Sequence, residues 1–330
     1  MAKYSSGKAK ILLVDGYNLL GAKPKGLTEK ITNVLQAATH GLGDDWDESS
    51  ATGLLKATVT QTGAFFDDAT AGMHVAFKDL SQVVRLLVYA LFGNVIGQPF
   101  VGVQGIYQGA YSLLTKIGAL SNADAEYVVS GQVDRGHLIQ DWVAKIANWN
   151  TFTDGFPVDH TLSPTNQAVP ITSNTLANPT VITTPVPHKL TTGDVVLIAG
   201  VITSTPTING ERTVTVISPT TFSVAVNVTI PGTGGSFIRS SSNNGGVAYL
   251  SVSAFSGFTG VVVKVRGSAD NVTYADLVTF ATVVGAPPDA TAAQRVTVAG
   301  VIPRYLCVSG TVTGAGSIQP VVGFKRNAPQ

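Results

Sequence analysis

Short runs in which apolar and polar residues alternate dominate the chain, and this period of two predicts strands. Leu54 to Gln61 is the clearest case, because Leu55, Ala57 and Val59 alternate with Lys and Thr. Further strands are predicted in the first 160 residues at 10–14, 28–35, 100–107, 109–117 and 126–133. A turn is predicted at Asp15-Gly16, directly after the first of them.

One segment has helical spacing instead. Between Phe77 and Phe92, five aliphatic residues fall at i, i+3, i+4, i+7 and i+11, which predicts a core helix with a continuous apolar stripe. The stripe consists of Leu80, Val83, Val84, Leu87 and Leu91. Asp79 is placed to cap the start of this helix, and Gly93 to end it.

Beyond residue 160 the pattern is β throughout. Residues 173–238 hold six short runs joined by turn residues, with Asn209-Gly210 as a tight-turn signal, and predict a small barrel or sandwich. Residues 244–330 have strand-like runs about ten residues apart, which is typical of a β-sandwich. Asp154 to Thr172 and Gly232 to Gly246 are rich in Gly, Ser, Pro and Asn, and are predicted to be linkers.

Composition favours a protein that assembles with copies of itself. Asp, Glu, Lys and Arg make up only 12% of the chain against 44% hydrophobic residues, and the centres of protein interfaces are depleted in charge. The net charge of +1 gives no basic field for nucleic acid. The apolar window Val83 to Val103 is interrupted by Arg85, Asn94 and Gln98, so no membrane span is expected. The single cysteine, Cys307, lies in an apolar run and is predicted to be a buried structural thiol.

The C-terminal third resembles a known family. The run Asn244-Gly-Gly-Val-Ala-Tyr-Leu-Ser-Val-Ser-Ala-Phe-Ser-Gly257 is similar to the C-terminal sandwich of major tail proteins of long-tailed, siphovirus-type bacteriophages, notably those of actinobacteria. The similarity continues through 265–276 and 293–300. In that family the domain decorates the tail exterior and has an immunoglobulin-like or carbohydrate-binding-like shape.

The first block resembles the tail tube domain of that family more loosely, through Asp15-Gly-Tyr-Asn-Leu19, Gly63 to Asp68 and Gly131 to Arg135. The middle block resembles a small β-module of phage structural proteins, through His188-x-Leu-Thr-Thr-Gly-Asp194. The resemblance implies a mainly-β fold in three parts. These are a tube β-sandwich with one helix (1–160), a C-terminal β-sandwich (161–172 plus 239–330) and an inserted small all-β module (173–238).

The function that this resemblance implies is structural. Six subunits would form a ring, and stacked rings would form the tail tube of the virion, assembled in the cytoplasm of the host bacterium. The implied partners are further copies of the chain, the tail terminator, the tape measure and the baseplate or tail-tip proteins, with no membrane partner. Phage DNA would pass through the lumen without specific binding, which neutral or acidic walls permit.

The segment Thr39 to Gly53 is the candidate contact with the next ring, because a loop of this length inside a compact domain usually has a function. Its residues Asp44, Asp45, Trp46, Asp47 and Glu48 are expected to pair with basic groups across that contact. A calcium loop starting at Asp45 would need Gly and Glu where the chain has Ser50 and Lys56. A solvated or interface loop is therefore favoured over a metal site.

No catalytic site, metal site or cofactor is expected. The five histidines, His40, His74, His137, His160 and His188, show no helical pairing, and phosphate-binding and dinucleotide motifs are absent from the sequence. The aromatic group Trp142, Trp149, Phe152 and Phe156 suits packing at a domain joint or a sugar-stacking platform, with packing favoured. The alternative function is a virion adhesin or decoration protein that binds host surface glycans through its C-terminal β-domains. A subunit of a related contractile injection system or gene-transfer particle is a hypothesis close to that of the tube subunit.

Overall fold

The protein is mainly β, with antiparallel sheets and one short α-helix in the part of the chain that is described. The computed structural model describes residues 11–22, 24–35, 51–65, 73–78, 84–90, 94–114, 121–146, 158–159 and 168–327. The predicted mainly-β fold class is thereby confirmed. The acidic segment Asp44 to Glu48 lies outside these ranges.

Ten strands belong to the first block. They are β1 (Ile11–Val14), β2 (Tyr17–Asn18), β3 (Gly26–Leu35), β4 (Ala51–Phe65), β5 (Arg85–Ala90), β6 (Pro99–Leu114), β7 (Asn122–Val129), β8 (Val133–Gln140), β9 (Lys145–Ile146) and β10 (Val158–Asp159). A 3₁₀ turn, Leu19–Ala22, follows β2. The predicted strands at 10–14, 28–35 and 54–61 are confirmed, and the described parts of the two predicted at 100–107 and 109–117 belong to the single long strand β6.

The predicted core helix at Phe77 to Phe92 is wrong. The helix α1 is Met73–Phe77, and Arg85–Ala90 is strand β5, which pairs with β1 on one side and β6 on the other. Leu87 is buried in that strand and Val84 is exposed before it; Leu80, Val83 and Leu91 lie outside the described residues. A strand covered on both faces is apolar on both, and such a run cannot be told from a buried helix by its periodicity.

The two faces of β1 and β5 explain this pattern. On one face Leu12, Val14, Leu87 and Tyr89 pack against α1 and the inner side of β4 and β7. The other face of the two strands consists of Ile11, Leu13, Val88 and Ala90. It packs against residues of the C-terminal block, which include Val247, Tyr249 and Val321. The first block therefore shares a core with the C-terminal block.

The C-terminal block is built on two long strands. Its strands are β18 (Gly246–Ser268), β19 (Ala275–Thr279), β20 (Ala293–Val298), β21 (Ile302–Pro303) and β22 (Tyr305–Arg326). Strands β18 and β22 pair along nearly their full length, and their inner faces form the largest apolar core of the block. Strand β22 also pairs with β8, so that one continuous sheet runs from the C-terminal block into the first block.

Residues 169–242 form a separate module with its own sheet and core. Its strands are β11 (Val169–Pro170), β12 (Ser173–Asn174), β13 (Thr180–Thr183), β14 (Val195–Ala199), β15 (Gly210–Ser218), β16 (Thr221–Val224) and β17 (Ser236–Ser242). The far end of β17 pairs with β21 of the C-terminal block. The predicted linker Gly232 to Gly246 is therefore wrong over most of its length, because β17 and the start of β18 occupy it. The Ser-rich sequence of this segment is typical of a linker, but its residues 236–242 form strand β17, which pairs with β11, β14 and β21.

Candidate assembly surface

Four strands of the first block form a sheet whose two outer edges are unpaired within the described residues. We call β3, β4, β7 and residues 107–114 of β6 the four-stranded unit. Strand β3 pairs with β4, β4 with β7, and β7 with β6, all of them antiparallel. Strand β5 pairs with β6 only as far as Ile106. The described strands therefore leave one side of β3 and one side of residues 107–114 open.

The inner face of the four-stranded unit is fixed to the core. Val59 and Tyr127 are fully buried there, against Phe77 of α1. The Tyr127 hydroxyl donates a hydrogen bond to Gln61 Oε1 at 3.2 Å, and the Gln61 amide contacts Met73 Sδ. Burial raises the pKa of Tyr127 well above its usual range. Among the described residues, these buried contacts lie on the inner face of the unit.

The outer face of the unit is threonine-rich on β3 and β4, exposes Tyr107 and Leu114 on β6, and is close to neutral in charge. Register pairs Thr28 with Thr60, and Lys30 with Thr58, on the exposed face of β3 and β4. Lys30 and Lys56 on β3 and β4 are balanced by Asp124 and Glu126 on β7. Two positive and two negative groups give a net charge of zero for these residues. A threonine-rich surface of this kind offers phosphates no concentrated positive charge.

A buried ion cluster joins the first block to the C-terminal block. Asp134 of β8 is fully buried and accepts hydrogen bonds from Lys325 Nζ of β22 and the Tyr249 hydroxyl of β18, both at 2.6 Å. Arg295 of β20 completes the cluster, with its Nη2 at 3.2 Å from Asp134 Oδ2. Burial alone would raise the pKa of Asp134, but the hydrogen bonds from Lys325, Tyr249 and Arg295 and the positive charge of Lys325 together outweigh it, so the pKa lies below its usual value.

A cleft of about 480 Å³ lies where the same two blocks meet. Asp15, Tyr17 and Arg85 line one wall, and Asp289 lines the other. Asp15 accepts a hydrogen bond from the Leu86 N–H and forms an ion pair with Arg85 at 3.7 Å. Burial is the main cause that raises the pKa of Asp15. The titratable side chains among the described residues that line this cleft are Asp15, Tyr17, Arg85 and Asp289.

The motif His188 to Asp194 has a structural role in the module. The His188 Nδ1 accepts a hydrogen bond from the Leu190 N–H, so the Nε2 carries the proton that it donates to the Ser218 carbonyl at 2.9 Å. The buried Asp194 carboxylate accepts from the N–H groups of Thr191 and Asn243. Both side chains hold turns together, and neither is presented to solvent.

The other residues singled out in the sequence are dispersed. His74 contacts Tyr111, and His137 lies in β8 beside β22; His40 and His160 lie outside the described residues. Of the aromatic group, Trp142 donates its indole N–H to Ser253 of β18 at 2.7 Å, which is packing between the first and C-terminal blocks. Trp149, Phe152 and Phe156 lie outside the described ranges. Where the chain is described, no three His, Cys, Asp or Glu side chains are grouped to hold a metal ion.

Cys307 is buried, as predicted. Its side chain is 1% exposed, and burial raises the pKa of the thiol to about 11. Because the thiolate is the reactive species, we expect a maleimide reagent to leave the native protein unlabelled at neutral pH. The same reagent should label one site per chain after denaturation in guanidinium chloride. Rapid labelling of the native protein, followed by mass spectrometry, would contradict the burial of this residue.

Comparison with known proteins identifies no relative. A scan against protein-family models finds no match, and a search of curated proteins finds none either. Within the described ranges, no helix has the length and hydropathy that a membrane crossing requires.

Proposed function

We propose that this protein is the structural subunit of a phage tail tube, which acts by self-assembly and not by catalysis. The observation that carries the proposal is the four-stranded unit, whose two edges are open among the described strands. Strands with unpaired edges associate unless they are covered, and closing the sheet into a ring of subunits removes every edge. Partners of this function are further copies of the chain and the proteins that begin and end the tail.

The direction of the strands supports ring closure. The unit holds four strands that alternate in direction, so β3 and β6 are antiparallel to each other. When copies are related by rotation about one axis, the β6 edge of one subunit meets the β3 edge of the next in antiparallel orientation. An even number of strands therefore permits a continuous antiparallel barrel around the ring. Six copies per ring is the number that the family resemblance implies.

The outer face of the unit suits the wall of a conduit for DNA. We place the threonine-rich face toward the lumen, because its balanced charges would neither hold phosphates nor repel them strongly. The C-terminal block and the module would then lie on the exterior of the tube. The acidic segment Asp44 to Glu48 remains the proposed contact between rings.

Negative-stain electron microscopy of the full-length protein at rising concentration tests this function. We expect six-fold rings or long hollow tubes. Compact monomers or trimers alone, also in the presence of tail-initiating partners, would contradict the tube and favour the glycan-binding adhesin. Glycan-array binding by the same preparation would distinguish that alternative.

A further inference from the structure

The inner face of the four-stranded unit has an exposed aliphatic residue at each of its two outer strands. On β3, Ile31 is 41% exposed, although its register partner on β4, Ala57, is buried. On β6, Leu113 is 45% exposed, although its register partner on β7, Ala123, is buried. Residues directly opposite each other in a ladder lie on the same face of the sheet. Ile31 and Leu113 therefore both belong to the inner face.

The apolar core of the first block reaches toward both of these residues. Leu27 of β3 and Tyr111 of β6 are partly buried and pack against that core. Ile31 follows Leu27 by four positions and Leu113 follows Tyr111 by two, and the even spacing keeps each pair on one side of its strand. Apolar exposure that continues a core differs from apolar residues scattered singly over a surface, and it indicates a site of interaction.

The pairing of β5 limits where a further strand could join β6. The register across the unit places Ile31 in one row with Ile106 of β6, through Ala57 and Val129. Ile106 pairs with Arg85 of β5 on its other side. If two copies joined edge to edge without stagger, Ile31 of one copy would meet this occupied position of the next. The joining strand must therefore be shifted toward the far end of β6.

A stagger of this kind is a general property of closed barrels. The strands of a barrel tilt, and an eight-stranded barrel with a shear of 8 has a tilt of about 36°. This is about one residue of stagger per strand, and hence about four residues for a unit of four strands. Four paired positions along β6 from Ile106, past the unpaired Gly109, lead to Tyr111. Ile31 of one copy then lies opposite Tyr111 of the next, with Leu113 as its diagonal neighbour.

We propose that Ile31 of one copy packs against Tyr111 and Leu113 of the next, and we call these three residues the apolar seam. The seam rests on the proposed function, because it gives the contact between subunits of a ring its side chains and its register. The occupant is a second copy, since β3 and β6 of the unit run in opposite directions and their edges are complementary. A threonine at position 31 would keep a β-branched side chain with one methyl group in the seam. A charged side chain there would have to leave water without a partner.

Chemical cross-linking of the full-length double variant Ile31→Cys/Leu113→Cys tests the seam. A short bis-maleimide is the suitable reagent, because diagonal neighbours on adjacent strands are about 7–8 Å apart. Within one chain the two positions are separated by three strand spacings, about 14 Å, so a cross-link that joins them links two copies. We expect a ladder of covalent oligomers on a denaturing gel. The buried Cys307 should not react.

Ile31→Cys/Ser112→Cys is the matched control. Ser112 lies between Tyr111 and Leu113 in the sequence, but it pairs with Asp124 on the outer face of the unit. The sheet itself then stands between the two cysteines. This variant should lose most of the ladder.

A charged substitution tests the same contact without a reagent. Ile31→Asp should form rings at least about tenfold less readily than the natural protein. Ile217→Asp is the control, because Ile217 is 58% exposed on β15 of the module, outside the four-stranded unit. The control should assemble like the natural protein, and an equal loss in both variants would count against the seam.

The failure of the seam and the failure of the tube have different signatures. Absence of the ladder in Ile31→Cys/Leu113→Cys would overturn the seam, and so would an equal ladder in the Ser112→Cys control. Electron microscopy of the natural protein scores ring formation separately. Rings without the ladder would refute the seam and leave the tube, whereas a ladder without rings would support the seam and refute the tube.

Discussion

Replacing Asp134 by Ala is expected to lower the free energy of unfolding by about 3 kcal/mol, toward the lower end of the range for breaking a buried ion pair. The substitution leaves Lys325 and Arg295 without their carboxylate, and their side chains are only 29% and 15% exposed. The Tyr249 hydroxyl loses its acceptor in the same step. Urea unfolding of the full-length variant at neutral pH measures this loss.

Asp276 is the matched control for Asp134. It also contacts one lysine and one arginine, Lys264 at 2.6 Å and Arg266 at 3.1 Å, but its side chain is 46% exposed. Exposed ion pairs contribute less than about 1 kcal/mol, so Asp276→Ala should unfold almost like the natural protein. Equal losses in the two variants would show that burial does not decide the strength of the Asp134 cluster.

The contribution of Asp134 should also depend on pH. The pKa of this carboxyl is lower in the folded protein than in the unfolded chain, where it is about 4. Its stabilising effect is therefore fully present above about pH 4 and is lost as the pH falls through the folded value. The difference in stability between the natural protein and Asp134→Ala should shrink in strong acid. A difference that stays constant down to about pH 2 would contradict this origin.

The ion cluster and the shared core join the first block to the C-terminal block, so the two cannot be separated by truncation without loss of contacts. The sequence predicts 1–160 as a tube domain separate from the C-terminal sandwich. In the structure, Phe100 and Leu138 of the first block pack against Tyr249 and Val321 of the C-terminal block. A truncated first block would expose this apolar face and lose β22, the strand next to β8. Point variants of the full chain are therefore the better test of assembly.

Local patterning predicted most strands but not their partners. Strand β1 is apolar on both faces and was found as a short run that ends at a turn, whereas alternation located β4, which has one exposed face. It failed at β5, where Arg85–Ala90 is buried on both faces and imitates a helical stripe. The pairing of β8 with β22 joins residues almost two hundred positions apart, and no local pattern encodes such a contact.

The candidate assembly surface could be predicted only in part. The alternation of Thr58 and Thr60 with buried Ala57 and Val59 indicated a strand with one polar face. It could not show that, among the described strands, β3 is left unpaired on one side, because an open edge is a property of the whole sheet. The motif at His188 lies in the part of the chain that has its own core, and its His and Asp hold turns. The spacing of His and Asp in the sequence does not tell whether the two side chains stabilise a turn or form a binding site.

The second large effect concerns the β3 edge. Successive N–H groups along a strand point to opposite sides, so one of Lys30 and Ile31 directs its N–H to β4 and the other to the open edge. Proline removes the N–H and its ring obstructs pairing, at a cost of a few kcal/mol. The proline variant at the position whose N–H bonds to β4 should lower the melting temperature. The proline variant at the position whose N–H points to the open edge should melt like the natural protein. It should form rings at least about tenfold less readily, because a loss of 1.4 kcal/mol in the contact lowers its equilibrium constant by a factor of ten.

Lys30→Thr and Ile31→Thr serve as controls, because they remove the same side chains and keep the N–H groups. Both positions are exposed, so these variants should fold and assemble. Circular dichroism melting measures the fold, and negative-stain electron microscopy measures the rings. If the well-folded proline variant assembled as readily as its threonine control, the edge of β3 would not be the contact between subunits. The proposal of a continuous barrel would then fail, because closure of the four-stranded unit depends on that edge.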